Sequence, residues 1–180
     1  MRVITGKARG VQLKTPEGML TRPTADRVKE ALFSIINFDL PGAAVLDLFG
    51  GTGQLGIEAL SRGAKSAVFV DQREDACKII RENLRRTKLE SQARAIRSDY
   101  LDYLRRSREK FDIILLDPPY AEVFLENALK CITEIDILQS GGIIVAERPV
   151  EKELPFEFEG FTRSKDYKYG KILLTIYRKD

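Results

Sequence analysis

The chain has 180 residues, 43% of them hydrophobic and 32% charged, which fits one globular domain with a full core. Two cysteines and no histidine remove the commonest general base and the commonest metal ligand, and with Cys77 and Cys131 both in helix-like segments they argue against a zinc site. No apolar run approaches a membrane span, and the start is not signal-like, so a reduced, cytoplasmic protein is expected.

The net charge of +3 is unevenly spread. Residues 1–30 hold seven Lys/Arg against three acids, a surplus of +4, so residues 31–180 sum to −1. A basic N-terminal stretch predicts a polyanionic partner, a solvated surface being the alternative. Its first part, RVITGKARGVQLKT, reads as a β-hairpin with Lys7 and Arg9 at the tip. After a loop, Thr24 can cap a helix with Asp26 in its first turn, and Val28, Ala31, Leu32, Ile35 and Ile36 recur on one helical face. From residue 41 a regular alternation begins. AAVLDLF, SAVFVD, ARAIRSD, FDIILLD and GGIIVAER read as strands separated by helices, and FTRSKDYKY and KILLTIYRK as a closing pair around Gly170. The expectation is a seven-stranded, mostly parallel α/β sheet with helices on both faces and an antiparallel edge strand. Residues 1–40 form an N-terminal hairpin and helix packed on a main domain of residues 41–180.

Gly51-Thr52-Gly53-Gln54-Leu55-Gly56 matches G-x-G-x-x-G between a strand and a helix, with Asp71 twenty residues after Gly51 at the end of the next strand. This is the fingerprint of a nucleoside-bearing cofactor: the glycines allow close approach to the backbone, and Asp71 can hold two ribose hydroxyls. Asp47, at the end of the first strand, opposes a pyrophosphate but suits a cation such as S-adenosylmethionine. Asp99, ending the third strand, can accept from an adenine amine or serve as an ordinary strand-end acid.

The string FDIILLDPPY ends a strand in an acid, two prolines and an aromatic ring. Pro118 and Pro119 cannot continue the strand and stiffen its exit. Asp117 and the Pro118 carbonyl are then rigid acceptors, with Tyr120 as a stacking face. A plain turn with a capping acid is the bland alternative.

DLFGGTG, FVD, SDY and DPPY, in this order at strand ends, resemble the motifs of class I S-adenosylmethionine-dependent methyltransferases, DPPY that of enzymes modifying exocyclic amines of bases. With RVITGKARG, RPTADRVKEALFSII and KYGKILLTIY, nearly the whole chain resembles the bacterial 16S rRNA guanine-N2 methyltransferases. Gly50 and Gln54 depart from residues common in that family. The resemblance implies a Rossmann-like fold and S-adenosyl-L-methionine held by Asp47, Phe49, Gly50, Gly51, Gly53, Asp71, Gln72, Ser98 and Asp99. It implies catalysis at Asp117, Pro118, Pro119 and Tyr120 without a metal, and small-subunit rRNA, within an assembling subunit or free, gripped by Arg2, Lys7, Arg9, Arg22 and Arg27. Two other readings stand beside it: an amino-methyltransferase acting on another base, on DNA or on a glutamine amide, and a small NAD-binding oxidoreductase or non-catalytic nucleotide sensor.

Overall fold

The computed structural model describes residues 1–16, 23–119, 123–155 and 157–180, and of residues 23–25 and 157–158 the backbone alone. After α1 (Pro23–Ile35) the chain alternates: β1 (Ala44–Asp47), α2 (Gln54–Ser61), β2 (Ser66–Asp71), α3 (Glu74–Thr87), β3 (Ala93–Arg97), α4 (Tyr100–Arg106), β4 (Phe111–Leu116), α5 (Val123–Ile135) and β5 (Leu138–Pro149). It closes with β6 (Glu157–Phe158), β7 (Phe161–Tyr169) and β8 (Ile172–Lys179). The sheet order is β3-β2-β1-β4-β5-β8-β7-β6. The first five strands are parallel. β8 runs antiparallel between β5 and β7, joined to β7 by a turn at Gly170 (φ 61°). The expected seven strands are present, and the two-residue β6 adds an antiparallel edge.

Successive strand residues point to opposite faces, and both faces are covered. Val45, Ile113, Leu115, Ile143, Val145 and Leu174 pack under α1, α2 and α3 together with Val3, Ala8 and Leu13 of the N-terminal segment. Leu46, Val68, Ile114, Leu116, Ile144 and Tyr177 pack under α4 and α5. α2 lies so close to β2 that a Cβ on Gly56 would stand 2.3 Å from the Phe69 ring. The chain passes from β1 outward through β2 to β3, then returns to place β4 on the other side of β1. That reversal opens a crevice at the carboxyl ends of β1 and β4, where sheets of this kind take their ligands.

The N-terminal segment is a looser hairpin than its alternation predicts. One bridge, Arg2 with Gln12, is its strand-like pairing, with Val3 N–H donating to the Val11 carbonyl, Leu13 N–H to the Met1 carbonyl and Gly10 N–H to the Val3 carbonyl. Other groups of the segment bond to helices. Buried Glu58 of α2 accepts from the Ile4 and Thr5 backbone N–H groups at 2.8 and 2.9 Å, and from Arg62 Nε at 2.9 Å. Ser61 Oγ accepts from Ala8 N–H and donates to the Thr5 carbonyl, while Lys7 N–H donates to the Ser61 carbonyl. Lys29 of α1, also buried, donates to the Arg2 carbonyl and stands 3.8 Å from Glu58. Asn83 of α3 accepts from Lys14 N–H and donates to the carbonyls of Lys14 and Thr52. The segment is thereby tied to the loop that follows β1. Among the described residues no helix is long and apolar enough to cross a membrane.

Candidate active site

The loop after β1 turns tightly. Gly50 N–H donates to the Val70 carbonyl and Gly53 N–H to the Gly50 carbonyl, with Gly51 and Gly53 at positive φ (55° and 81°). A Cβ on Gly50 would meet Ile80 Cδ1 at 2.8 Å, whereas one on Gly51 finds nothing nearer than 3.9 Å. The backbone at Gly51 is thus open to a close neighbour, and Gly50 packs closely against the tip of Ile80.

Asp47 ends β1 fully buried. Its Oδ2 accepts from Gly56 N–H at 3.0 Å, and its Oδ1 is buried with no hydrogen-bond partner. Burial, with the charges of Asp117 and Asp71 adding, pushes its carboxyl up to about 8. An orphaned carboxylate oxygen at this depth suits a cation, whose charge would offset the burial cost. Asp71 ends β2. Its Oδ2 accepts from Gly51 N–H at 3.0 Å and its Oδ1 from Arg73 N–H at 2.9 Å, which fixes the carboxylate beside the glycine loop. The orphaned Asp47 oxygen, the open backbone at Gly51 and the fixed Asp71 together fit a cationic, nucleoside-bearing cofactor.

The other residues singled out in the sequence for the cofactor are more dispersed. Gln72 is exposed and its carbonyl accepts from Arg97 Nε. Ser98 N–H donates to the Asp71 carbonyl, and Ser98 Oγ to the Asp99 carbonyl. Asp99 caps α4, its Oδ1 accepting from the backbone of Leu101 and Asp102. That oxygen is committed to the cap of α4. Phe49 joins an aromatic cluster, 5.1 Å from Tyr100 and 6.1 Å from Phe124, with Tyr100 and Phe124 edge-to-face at 5.5 Å. Tyr100 and Phe124 were not singled out from the sequence. Each lies in the first turn of its helix, and only the fold brings them to Phe49.

Asp117 follows β4 directly. Asp47 pairs with Leu115 of β4, so Asp117 stands one step above Asp47 on the neighbouring strand. It is partly buried, and burial pushes its carboxyl up to about 6. Pro118 is partly buried and Pro119 exposed. Tyr120 lies outside the described residues. A further acid, Glu147 of β5, has no counterpart among the residues singled out from the sequence. It is partly buried, and burial with the Asp117 charge pushes it up to about 8. Its signal was available: an acid at the close of an apolar strand, in VAER, as at Asp47, Asp71 and Asp117.

Of the basic residues, Arg2, Lys7, Arg9 and Arg27 are exposed. Lys7 and Arg9 rise from the segment docked on α2. Arg22 lies outside the described residues.

The family described as conserved hypothetical protein 95 matches residues 1–178. YlbH of Bacillus subtilis is 40% identical over 182 residues, 99% of each chain. The ribosomal RNA small subunit methyltransferase D of Haemophilus influenzae is 33% identical, covering 99% of this chain and 93% of its own. Among solved structures, yhhF of Escherichia coli superposes with a TM-score of 0.91 at 28% identity, covering 100% of this chain and 98% of that one.

Proposed function

We propose a reaction for this chain from one premise: it belongs to the conserved hypothetical protein 95 family, that of the bacterial small-subunit rRNA methyltransferases D. The reaction is transfer of a methyl group to the exocyclic N2 amine of a guanine in 16S rRNA. The observation that carries it is Asp117, held by the proline exit of β4 beside Asp47 at the crevice between β1 and β4. The rRNA substrate is supported by the name that the Haemophilus and Escherichia relatives bear.

S-adenosyl-L-methionine, when bound, supplies a methyl group already activated by its sulfonium. Asp47 would face its ammonium group, the Gly50–Gly53 loop and Asp71 its nucleoside, and Phe49 its apolar edge. Gln72, Ser98 and Asp99 stand at the neighbouring strand ends, where Asp99 is available through its second oxygen.

The chain's task is then to present a weak nucleophile. A base amine has its lone pair delocalised into the ring. Asp117 and the Pro118 carbonyl each accept one of its N–H groups, which turns the lone pair toward the methyl group and stabilises positive charge growing on nitrogen. Pro119 keeps the exit rigid, and Tyr120 offers a face for a base that has left its stack. Asp117 carries the negative charge that matches the growing positive charge only when ionised, above about pH 6. Arg2, Lys7, Arg9, Arg22 and Arg27 would hold RNA phosphates. The segment of residues 1–40 thus serves as a substrate arm of the catalytic domain 41–180, and the protein works in the cytoplasm on free rRNA or an assembling subunit.

Incubation with labelled methyl donor and RNA from a strain lacking the protein tests the reading. The expected product is N2-methylguanosine in small-subunit rRNA. Asp117→Ala is expected to lower the single-turnover rate by at least about 10²-fold while the cofactor still binds. A product methylated on ribose or a ring carbon, or an unimpaired Asp117→Ala, refutes the assignment.

A further inference from the structure

Glu147 follows Ala146, the β5 residue paired with Leu116 of β4. It is therefore the cross-strand neighbour of Asp117, and residues in register share a face of a parallel sheet. Continued one residue past the ladder, that register brings the two carboxyls to the same face at the carboxyl edge of the sheet, the face that Leu115 and Val145 line. Two buried carboxyls this close do not readily ionise together. Asp117, pushed up to about 6, loses its proton first; Glu147, pushed up to about 8, keeps its own through the neutral range.

The surroundings sustain this. Toward β1 and β2 the next charged groups are again acids, Asp47 and Asp71. β8 opposes Glu147 with Leu174. Arg148, next in β5, is bonded instead to Thr175 Oγ1 and Asp166. α1, over this face, carries Asp26, Arg27, Lys29 and Glu30 near its start, and Lys29 is committed to the Arg2 carbonyl beside Glu58.

Resting on the methyl-transfer reading above, we propose that Glu147 is a positioning residue: as a neutral acid it donates its O–H to the Asp117 carboxylate and fixes the oxygen that accepts from the substrate amine. The single charge of the pair then stays on Asp117, where positive charge develops on nitrogen. Ionising Glu147 converts the donor into a second charge and releases Asp117 from that orientation.

The test is the pH profile of single-turnover methylation at saturating RNA and S-adenosylmethionine, conditions under which Asp47 faces the cofactor. The wild-type rate is expected to rise through about pH 6 and fall through about pH 8. Glu147→Gln keeps a donor but cannot ionise, so the alkaline fall disappears. Glu147→Ala loses the donor and the rate drops by roughly 10- to 100-fold at neutral pH, the scale for misplacing a reacting group. Glu147→Gln restores part of that loss. An alkaline fall that persists in Glu147→Gln, or equal losses in the two variants, overturns the proposal.

A second readout needs no substrate. Infrared difference spectra of the ligand-free protein at neutral pH are expected to show a protonated-carboxyl band that Glu147→Gln removes, distinct from the one removed by Asp47→Asn. Absence of the Glu147 band overturns the proposal whatever the substrate. The band together with a product other than a methylated guanine amine overturns the reaction assignment instead.

Discussion

Asp71 spends one lone pair of each oxygen on the protein, Oδ2 on Gly51 N–H and Oδ1 on Arg73 N–H. The other lone pairs remain for a pair of hydroxyls, and the backbone bonds hold them in place beforehand. Asp71→Ala removes both acceptors and leaves Gly51 N–H unpaired. Affinity for S-adenosylhomocysteine is therefore expected to fall by about 1.5–3 kcal/mol, the scale of a hydrogen bond to a charged group, as read by calorimetry. Tight binding of NAD with no response to S-adenosylhomocysteine would contradict the cofactor assignment. Asp71, Asp47 and Asp117 were legible in the sequence because each closes an apolar run and precedes a turn. Glu147 carries the same local sign, but its meaning depends on register: only the pairing of Leu116 with Ala146 places it beside Asp117, and no local pattern encodes which strand lies next to which.

At the level of elements, the parallel strands and their helices followed from alternation alone, since β1, β2 and β4 are apolar runs buried on both faces and α3 buries a single face. The N-terminal hairpin did so only in part. Val3 and Leu13 N–H bond across it, whereas the donors of Ile4, Thr5 and Ala8 are taken by Glu58 and Ser61, more than fifty residues away on α2. Gly6 shows how close this docking is: a Cβ there would fall 1.8 Å from the Ser61 carbonyl oxygen. The arm is held by its backbone and leaves the side chains of Lys7 and Arg9 exposed. Replacing both by Ala removes charge without loosening the dock. RNA binding is expected to weaken, and the log–log dependence of affinity on salt to flatten by roughly 1–2 if both meet phosphates. Filter binding across a salt series measures this, and an unaltered slope returns the pair to ordinary surface charge.

Across the whole molecule, the crevice is a store of unfavourable charge. Asp47, Asp117 and Glu147 all hold protons more tightly than free carboxyls do. Between about pH 4, where such groups titrate in an unfolded chain, and about pH 8 the folded protein binds more protons than the unfolded one, so its stability falls as pH rises. Asp136, flanked by Lys110 and Lys179, has the opposite sign: drawn down to about 2, its contribution is present above about pH 4 and lost only in stronger acid. The ligand-free Tm is expected to drop from pH 5 to pH 8 by scanning calorimetry. Asp47→Asn should reduce that drop and raise the Tm at pH 8 while weakening cofactor binding, an exchange of stability for function; a Tm independent of pH over this range would contradict the burial of these charges. The crevice has a second effect, on traffic rather than stability. Asp71 and Asp117 stand at the carboxyl ends of β2 and β4, on either side of β1, so this edge of a net-positive protein presents a negative potential, to which the neutral Glu147 adds nothing. A polyanion drawn to the molecule by its basic surface is turned back at the crevice, and only a cation or an uncharged ring can enter. The crevice thus sorts a nucleic acid into its parts, phosphates outside and a single base within.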